Sequence, residues 1–343
     1  MSESKFYHIS PAGKLTGVGS VTEALTAVND GGFFWLHYCQ PTREALEALV
    51  GPLGLHPLSI EDCFDENQVP KIEDYPKNTF ILFNAFGYAN GKLSIDEVDL
   101  FIGENFLVTV IGSSPDDGRV LTGIEQVVER DIEIALQGPA FLMHVILDHI
   151  VDHKFAAIEL LEDELDRMEE TMLAAVSRFN PTELIRLRRD LMALRKSVFH
   201  EREILTKICR KDCPFVSDKA IFHYRVIYDH LAKFFELVEA CRDLVTSLME
   251  MYLSLLNNEM TRAAQETNVT VRRLTLITTI FMPLTLLAGI GGMSEWTMMT
   301  GRDNWKIAYP AFLAAMVLLG LANYYTLKRL EKRRRSQERS LLE

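Results

Sequence analysis

Two stretches of this 343-residue chain carry side chains able to handle a metal ion. In the first, an apolar run closes on Gly289, Gly291, Gly292, Met293, Ser294 and Glu295. Oxygen donors suit hard cations, and Ser294 and Glu295 place a hydroxyl and a carboxylate where the apolar run ends. The glycines let helix ends meet and turn. At 100° per residue Thr275, Thr278, Met282, Thr285 and Gly289 fall within roughly 80° of one another, giving a small, hydroxylated or thioether stripe on a helix otherwise rich in Leu, Ile and Phe. In a bundle such a stripe faces the axis, and Leu274 and Met282 fit apolar constrictions that gate by dewetting. The competing role for the threonines and glycine is close helix packing in lipid.

The second stretch follows Phe141, where His144, Asp148, His149, Asp152 and His153 crowd one helix. Asp148/Asp152 and His149/His153 are both i,i+4 pairs able to grip one ion, and imidazole favours a borderline-soft cation such as Zn2+ over Mg2+. The expectation is a regulatory or accessory cytosolic cation site at Asp148, His149, Asp152 and His153, against the simpler role of a solvated or inter-helix polar face. Cys39, Cys63, Cys209, Cys213 and Cys241 are odd in number and scattered, which is no disulfide framework. Cys209 and Cys213 with Pro214 read as structural thiols at a turn between helices. No P-loop, HExxH or Gly-x-Ser-x-Gly occurs, and Gly17-Val18-Gly19 lacks the third glycine of a dinucleotide fingerprint. No enzyme and no cofactor is expected.

A stripe of this kind needs a helix that crosses lipid. Residues 274–293 contain no charged side chain, and at 1.5 Å per residue they cover about 30 Å, one bilayer core. Residues 307–327 form a second uncharged run with Tyr309, Tyr324 and Tyr325 near its ends, where amphipathic rings prefer the interface. Arg272 and Arg273 precede the first span. A basic tail, 328–343, follows the second, with seven Lys and Arg against three Glu in a chain of net charge -12. The loop 294–306 holds Arg302 and Lys306 alone as basic residues, so the positive-inside rule puts both termini in the cytoplasm. Next to a span, the tail reads as an anchor on anionic membrane lipid rather than a nucleic-acid site. The start, MSESKFYHIS, has no apolar h-region, consistent with a cytosolic first domain. Asn268-Val269-Thr270 matches a glycosylation pattern but falls on the cytosolic side.

Upstream, residues 1–138 read as an α/β domain. GGFFWLHY and NTFILFNAFGY are strand-like, ANGK supplies an Asn-Gly turn, and EVDLFIGENFLVTVIG is two strands joined at GEN. PTREALEALVGPLG has helical spacing. Residues 139–273 turn to long helical patterns: one helix from Phe141 to Leu173, one starting at Pro181 behind an Asn180 cap, and one from about Asp218 into the first span. If continuous, the last would be roughly 110 Å long, more than one small domain can bury, which calls for bundling with copies of itself.

The run YDHLAKFFELVEACRDLVTSLMEMYLSLLNN, then RRLTLITTIFMPLTLLAGIGGM, a short loop, a Tyr-Pro pair and a basic end resembles the CorA metal-ion transporter superfamily. LHPLSIEDCFDENQVPKIEDYPKNTFILF, EVDLFIGENFLVTV and LDHIVD extend the resemblance upstream. It implies a CorA-like funnel: an α/β cytosolic domain, long stalk helices and two C-terminal transmembrane helices, assembled as a homopentamer in the inner membrane. The first span lines one axial pore and the second packs outside it. The resemblance also implies a Gly-Met-Asn signature at the outer mouth, where this chain has Gly292-Met293-Ser294, and an acidic loop motif, where it has WTMMTGRDN. Transport of Mg2+ or of Zn2+, Co2+ or Ni2+ is expected. Two alternatives stand beside it: a ZntB-like zinc transporter and a non-conducting pentameric membrane scaffold.

Overall fold

The computed structural model describes residues 4–28, 31–65, 68–89, 91–112, 123–292, 301 and 304–340. Among these residues, runs of aromatic and β-branched side chains bounded by turns make seven strands. These are β1 (Lys5–Ile9), β2 (Leu15–Val18), β3 (Phe33–Cys39), β4 (Lys71–Asp74), β5 (Thr79–Ala89), β6 (Lys92–Ile102) and β7 (Phe106–Ile111). They form one sheet in the order β2-β1-β3-β7-β6-β5-β4. The β3–β7 pair is parallel, with Phe34 opposite Phe106, and the other five pairings are antiparallel. The Asn-Gly expectation fits the β5–β6 hairpin: Ala89 lies opposite Lys92, and Gly91 takes φ +70°, open to glycine without strain.

Both faces of the sheet are covered, which is why β3, β5 and β7 read as unbroken apolar runs. On one face Phe34, Leu36, Phe80, Leu82, Phe101 and Val108 pack with Ala24 of α1 (Val21–Ala27) and Leu46 of α2 (Arg43–Glu47). Leu53 of α3 (Val50–Leu53) and Ile60 of α4 (Pro57–Asp62) complete that cluster. The alternate residues face the opposite side. There lie α5 (Ile124–Arg130), α6 (Ile132–Ala135) and α7 (Pro139–Ala174), the last packed chiefly along β5.

Three long helices continue from this platform. In α7, Pro139 takes the first turn, where its missing N–H costs nothing. Asn180 caps α8 (Pro181–Cys209) by accepting from the Thr182 N–H at 3.1 Å. The third helix, α9 (Ile221–Gly291), is unbroken over 71 residues. Its buried positions, Ile221, Tyr224, Ile227, Leu231, Phe234, Val238, Cys241, Val245 and Leu248, step by three and four, the seam of coiled-coil packing. The α8 series 184, 187, 191, 194, 198, 201, 205, 208 has the same step. Phe155 of α7 meets Phe234 of α9 at 5.6 Å, and Arg195 of α8 pairs with Glu239.

A fully buried ion pair ties α7, α8 and β5 together. Lys154 bonds to Glu201, and both side chains are 0% exposed. The Lys154 ammonium lies 4.4 Å from the ring centroids of Phe83 and Phe86. Glu201 also accepts from the Asn84 N–H (3.2 Å) and from Ser197 Oγ (3.3 Å), so its lone pairs are spoken for. Burial depresses the lysine, to about 8, and raises the carboxyl.

The chain divides into two compact units, Met1–Leu253 and Ser254–Glu343. The second contains the end of α9 and the last helix, α10 (Trp305–Ser340). Both helices carry an apolar segment long enough to cross a membrane, within Ile221–Gly291 and Lys306–Arg329.

Candidate ion path and cation site

Within the carboxy-terminal unit the two apolar helices touch along one face of each. On α9 the partly covered positions are Leu276, Ile280, Pro283, Leu284, Leu287 and Gly291, and on α10 they include Ala308, Phe312, Met316 and Gly320. Glycine allows the approach: a Cβ on Gly291 would sit 2.7 Å from the Phe312 ring, and one on Gly320 3.5 Å from Leu284.

The sequence-derived stripe points the other way. At 100° per residue its centre lies about 170° around α9 from the α10 face. Leu274 and Met282 are 64% and 71% exposed, Thr278 and Thr285 are exposed, and nothing lies within 4 Å of a Cβ added at Gly289. The threonine hydroxyls are oriented by their own helix. Thr275, Thr278 and Thr285 donate to the carbonyls of Val271, Leu274 and Phe281 at 2.8, 2.9 and 2.8 Å. With the proton committed to the backbone, each hydroxyl oxygen presents lone pairs outward, as an acceptor for the waters of a hydrated cation. Gly292 ends the helix with its N–H bonded to Ala288 at 3.0 Å. Met293, Ser294 and Glu295 lie outside the described residues.

In the amino-terminal unit the i,i+4 spacing brings Asp148 and Asp152 onto one face of α7, where they meet His230 of α9. One ligand atom from each of the three lies within 4.8 Å of the others, and among the described residues theirs is the group that does so. His230 Nδ1 is buried without a hydrogen-bond partner, 3.9 Å from Asp148 Oδ1. Burial raises the Asp148 carboxyl, and Asp152 raises it further. Two carboxylates and an imidazole are a donor set for a divalent cation. His149 and His153 are not in that group. Their rings contact each other at 4.2 Å, and His153 Nδ1 bonds to the His149 carbonyl at 3.0 Å. His144 is buried against His223, 4.8 Å between rings, and burial holds it down at about 4.

His230 is the residue that spacing along one helix overlooks, being far from Asp148 in the chain. Its signal is its place one residue before Leu231 on the α9 seam, which turns it toward α7.

Comparison with known proteins agrees with this architecture. The model of the CorA-like Mg2+ transporter protein family matches residues 30–329. The chain is 32% identical over 294 residues to the putative metal ion transporter YfjQ of Bacillus subtilis, covering 84% of this chain and 86% of that one. It is 32% identical over 291 residues to the cobalt/magnesium transport protein CorA of Thermotoga maritima, covering 84% and 80%. The complete structure of the CorA magnesium transporter from Methanocaldococcus jannaschii superposes with a TM-score of 0.72 at 20% identity, over 96% of this chain and 98% of that one. The fold is therefore that of a full-length CorA protein, and the chain belongs to the CorA-like Mg2+ transporter family.

Proposed function

We propose that this chain conducts divalent cations across a membrane through an axis lined by α9, as a homopentamer with Mg2+ as first substrate and Co2+, Zn2+ and Ni2+ as competitors. The observation that carries this reading is the division of α9 into two opposed faces. One face is used up against α10; the other offers the outward hydroxyl oxygens of Thr275, Thr278 and Thr285 between Leu274 and Gly289. Five copies around an axis turn each threonine into a ring of acceptors, which holds an ion by its hydration shell without stripping it. Leu274 and Met282 become apolar rings that block ions when dry. Gly292, Met293, Ser294 and Glu295 form the outer mouth, Ser294 offering a shorter oxygen ligand than the family asparagine and Glu295 a ring of negative charge. Arg272, Arg273 and the tail 328–343 keep both termini on the cytosolic side. Asp148, Asp152 and His230 hold a regulatory cation, and His230 extends its range to transition metals.

The test is flux into liposomes with ion-specific dyes for Mg2+, Co2+, Zn2+ and Ni2+. Entry above empty liposomes is expected, suppressed by Thr285→Leu with assembly intact and altered in preference by Ser294→Asn. Intact pentamers with no flux of any cation would overturn conduction and leave a membrane scaffold.

A further inference from the structure

The amino-terminal unit contains an open cleft that neither the ion path nor the Asp148 group uses. It lies between the end of α4, the middle of β6 and the outer side of α8, with a volume of about 580 Å³. That is the size of pockets that hold small organic molecules.

Asp99 lies at its floor. Alternation along β6 puts Asp99 on the same sheet face as Phe101, which enters the core beneath α2–α4, but at Asp99 the core gives way to the cleft. The residue is 2% exposed, and its Oδ1 has no hydrogen-bond partner. Its neighbours do not supply a cation. Cys63 touches the carboxyl, while the thiol also bonds to the Ser59 carbonyl at 3.2 Å. Lys71 is engaged with Asp62 at 2.7 Å. Asp65, Asp96 and Glu97 also line the cleft, and Lys196 on α8 is the cation among its lining residues. Burial above all, and then Glu97, push the Asp99 carboxyl well above the ordinary carboxylate range, which favours its uncharged form in the empty cleft. One stretch of the wall is apolar: Phe64 and Ile95 are 39% and 41% exposed, beside Val69 and Pro70.

A bare metal ion needs three converging donors, and the cleft acids do not form such a group among the described residues. An organic cation needs one buried carboxylate for its N–H head and an apolar wall for its body. We propose that this cleft binds an organic cation with a primary ammonium or guanidinium head, its N–H donated to Asp99 Oδ1 and its aliphatic body along Phe64 and Ile95. A bound cation favours the carboxylate, so any proton that Asp99 holds in the empty cleft passes to solvent on binding and the ligand's positive charge replaces it. This inference does not depend on ion conduction.

Calorimetric titration of the full-length protein in detergent tests it, using agmatine as probe and choline, which has no N–H, as comparison. Agmatine should bind once per chain with an apparent heat that differs between buffers of different ionisation enthalpy, the mark of a released proton. Asp99→Asn, which keeps the shape, should weaken it about tenfold or more, as loss of a charge-assisted hydrogen bond does, and remove the buffer dependence. Ala193→Trp, at an exposed position on the α8 rim, should abolish binding without touching the floor, and choline should give no saturable heat. Absence of agmatine binding, or equal affinity in both variants, overturns the proposal. So does saturable heat from Mg2+ or Zn2+ that Asp99→Asn removes while agmatine stays inert, which would make the cleft a metal site.

Discussion

The two compact units are built from the same apolar residue types and treat them oppositely. In the amino-terminal unit Trp35, Phe83, Leu161 and Leu231 are 0% exposed. Beyond Leu248 no residue whose side chain is described, through Arg329, is buried. Leu286, Ile307 and Leu318 are instead 66%, 76% and 67% exposed. At about 25 cal/mol for each Å² of apolar surface, leaving these side chains in water is costly, as expected of the two helices long and apolar enough to cross a membrane. The second unit's order comes from narrow contacts such as Gly291 on Phe312, whereas the first unit is ordered from inside.

The sharpest way to expose that difference is to break the inside of the first unit. Glu201→Ala leaves the Lys154 ammonium buried between Phe83 and Phe86 with no counter-charge, which costs about 3–5 kcal/mol. The double variant Lys154→Met, Glu201→Leu should recover most of the loss. By the same logic Leu161→Ala should cost about 2–5 kcal/mol, and Leu286→Ala no more than roughly 0.5 kcal/mol. Denaturant unfolding of the detergent-solubilised chain measures all four. Equal losses at 161 and 286 would show that the second unit has a core of its own.

Two glycines less than one turn apart sharpen the comparison within the second unit. Gly291→Leu drives a side chain into the Phe312 ring and should destabilise the α9–α10 contact by about 1–3 kcal/mol, seen as loss of the assembled form in detergent. Gly289→Ala has open space before it, so assembly should persist while cation flux falls. The reverse pattern would put Gly289 against a neighbour and remove it from the path.

How much of this was legible in the sequence follows from the range of the forces involved. The hairpin of β5 and β6, the Asn180 cap, the long helices and the two spans are written in spacings of two, three or four residues and in one turn dipeptide, so local sequence carries them. The stripe from Leu274 to Gly289 was legible for the same reason, being a property of a single helix. The Asp148 group was half legible: two of its members are four residues apart, but His230 arrives from another helix, and only the packing of α9 on α7 brings it in. His149 and His153 share the i,i+4 spacing of the aspartates yet lie about 100° around the helix. Asp99 gave no signal, since an acid in a strand reads as an outward position until the sheet is known to be covered on both faces.

The smallest expected effect concerns pH, and it too separates the units, because 274–292 contains no titratable side chain. Burial, assisted by the Asp62 charge, pushes Glu97 up from 4.5 to about 7. The folded chain therefore keeps a proton between about 4.5 and 7 that the unfolded chain releases, so Glu97 contributes stability below that window that is lost as pH rises through it. His37 and His144 act with the opposite sign: burial lowers both to about 4, so their contribution is full above about 6.5 and is lost as pH falls toward 4. In the parent protein these slopes offset each other. Glu97→Gln removes one of them, and its melting temperature should climb more steeply than the parent's between pH 4.5 and 6.5, with the steepening absent in a variant that also carries His37→Gln and His144→Gln. Thermal melts at half-unit pH steps decide it: parallel curves for parent and Glu97→Gln would mean that the Glu97 carboxyl is already ionised in the folded protein, and that the cleft it lines is wetter than the packing around Asp99 implies.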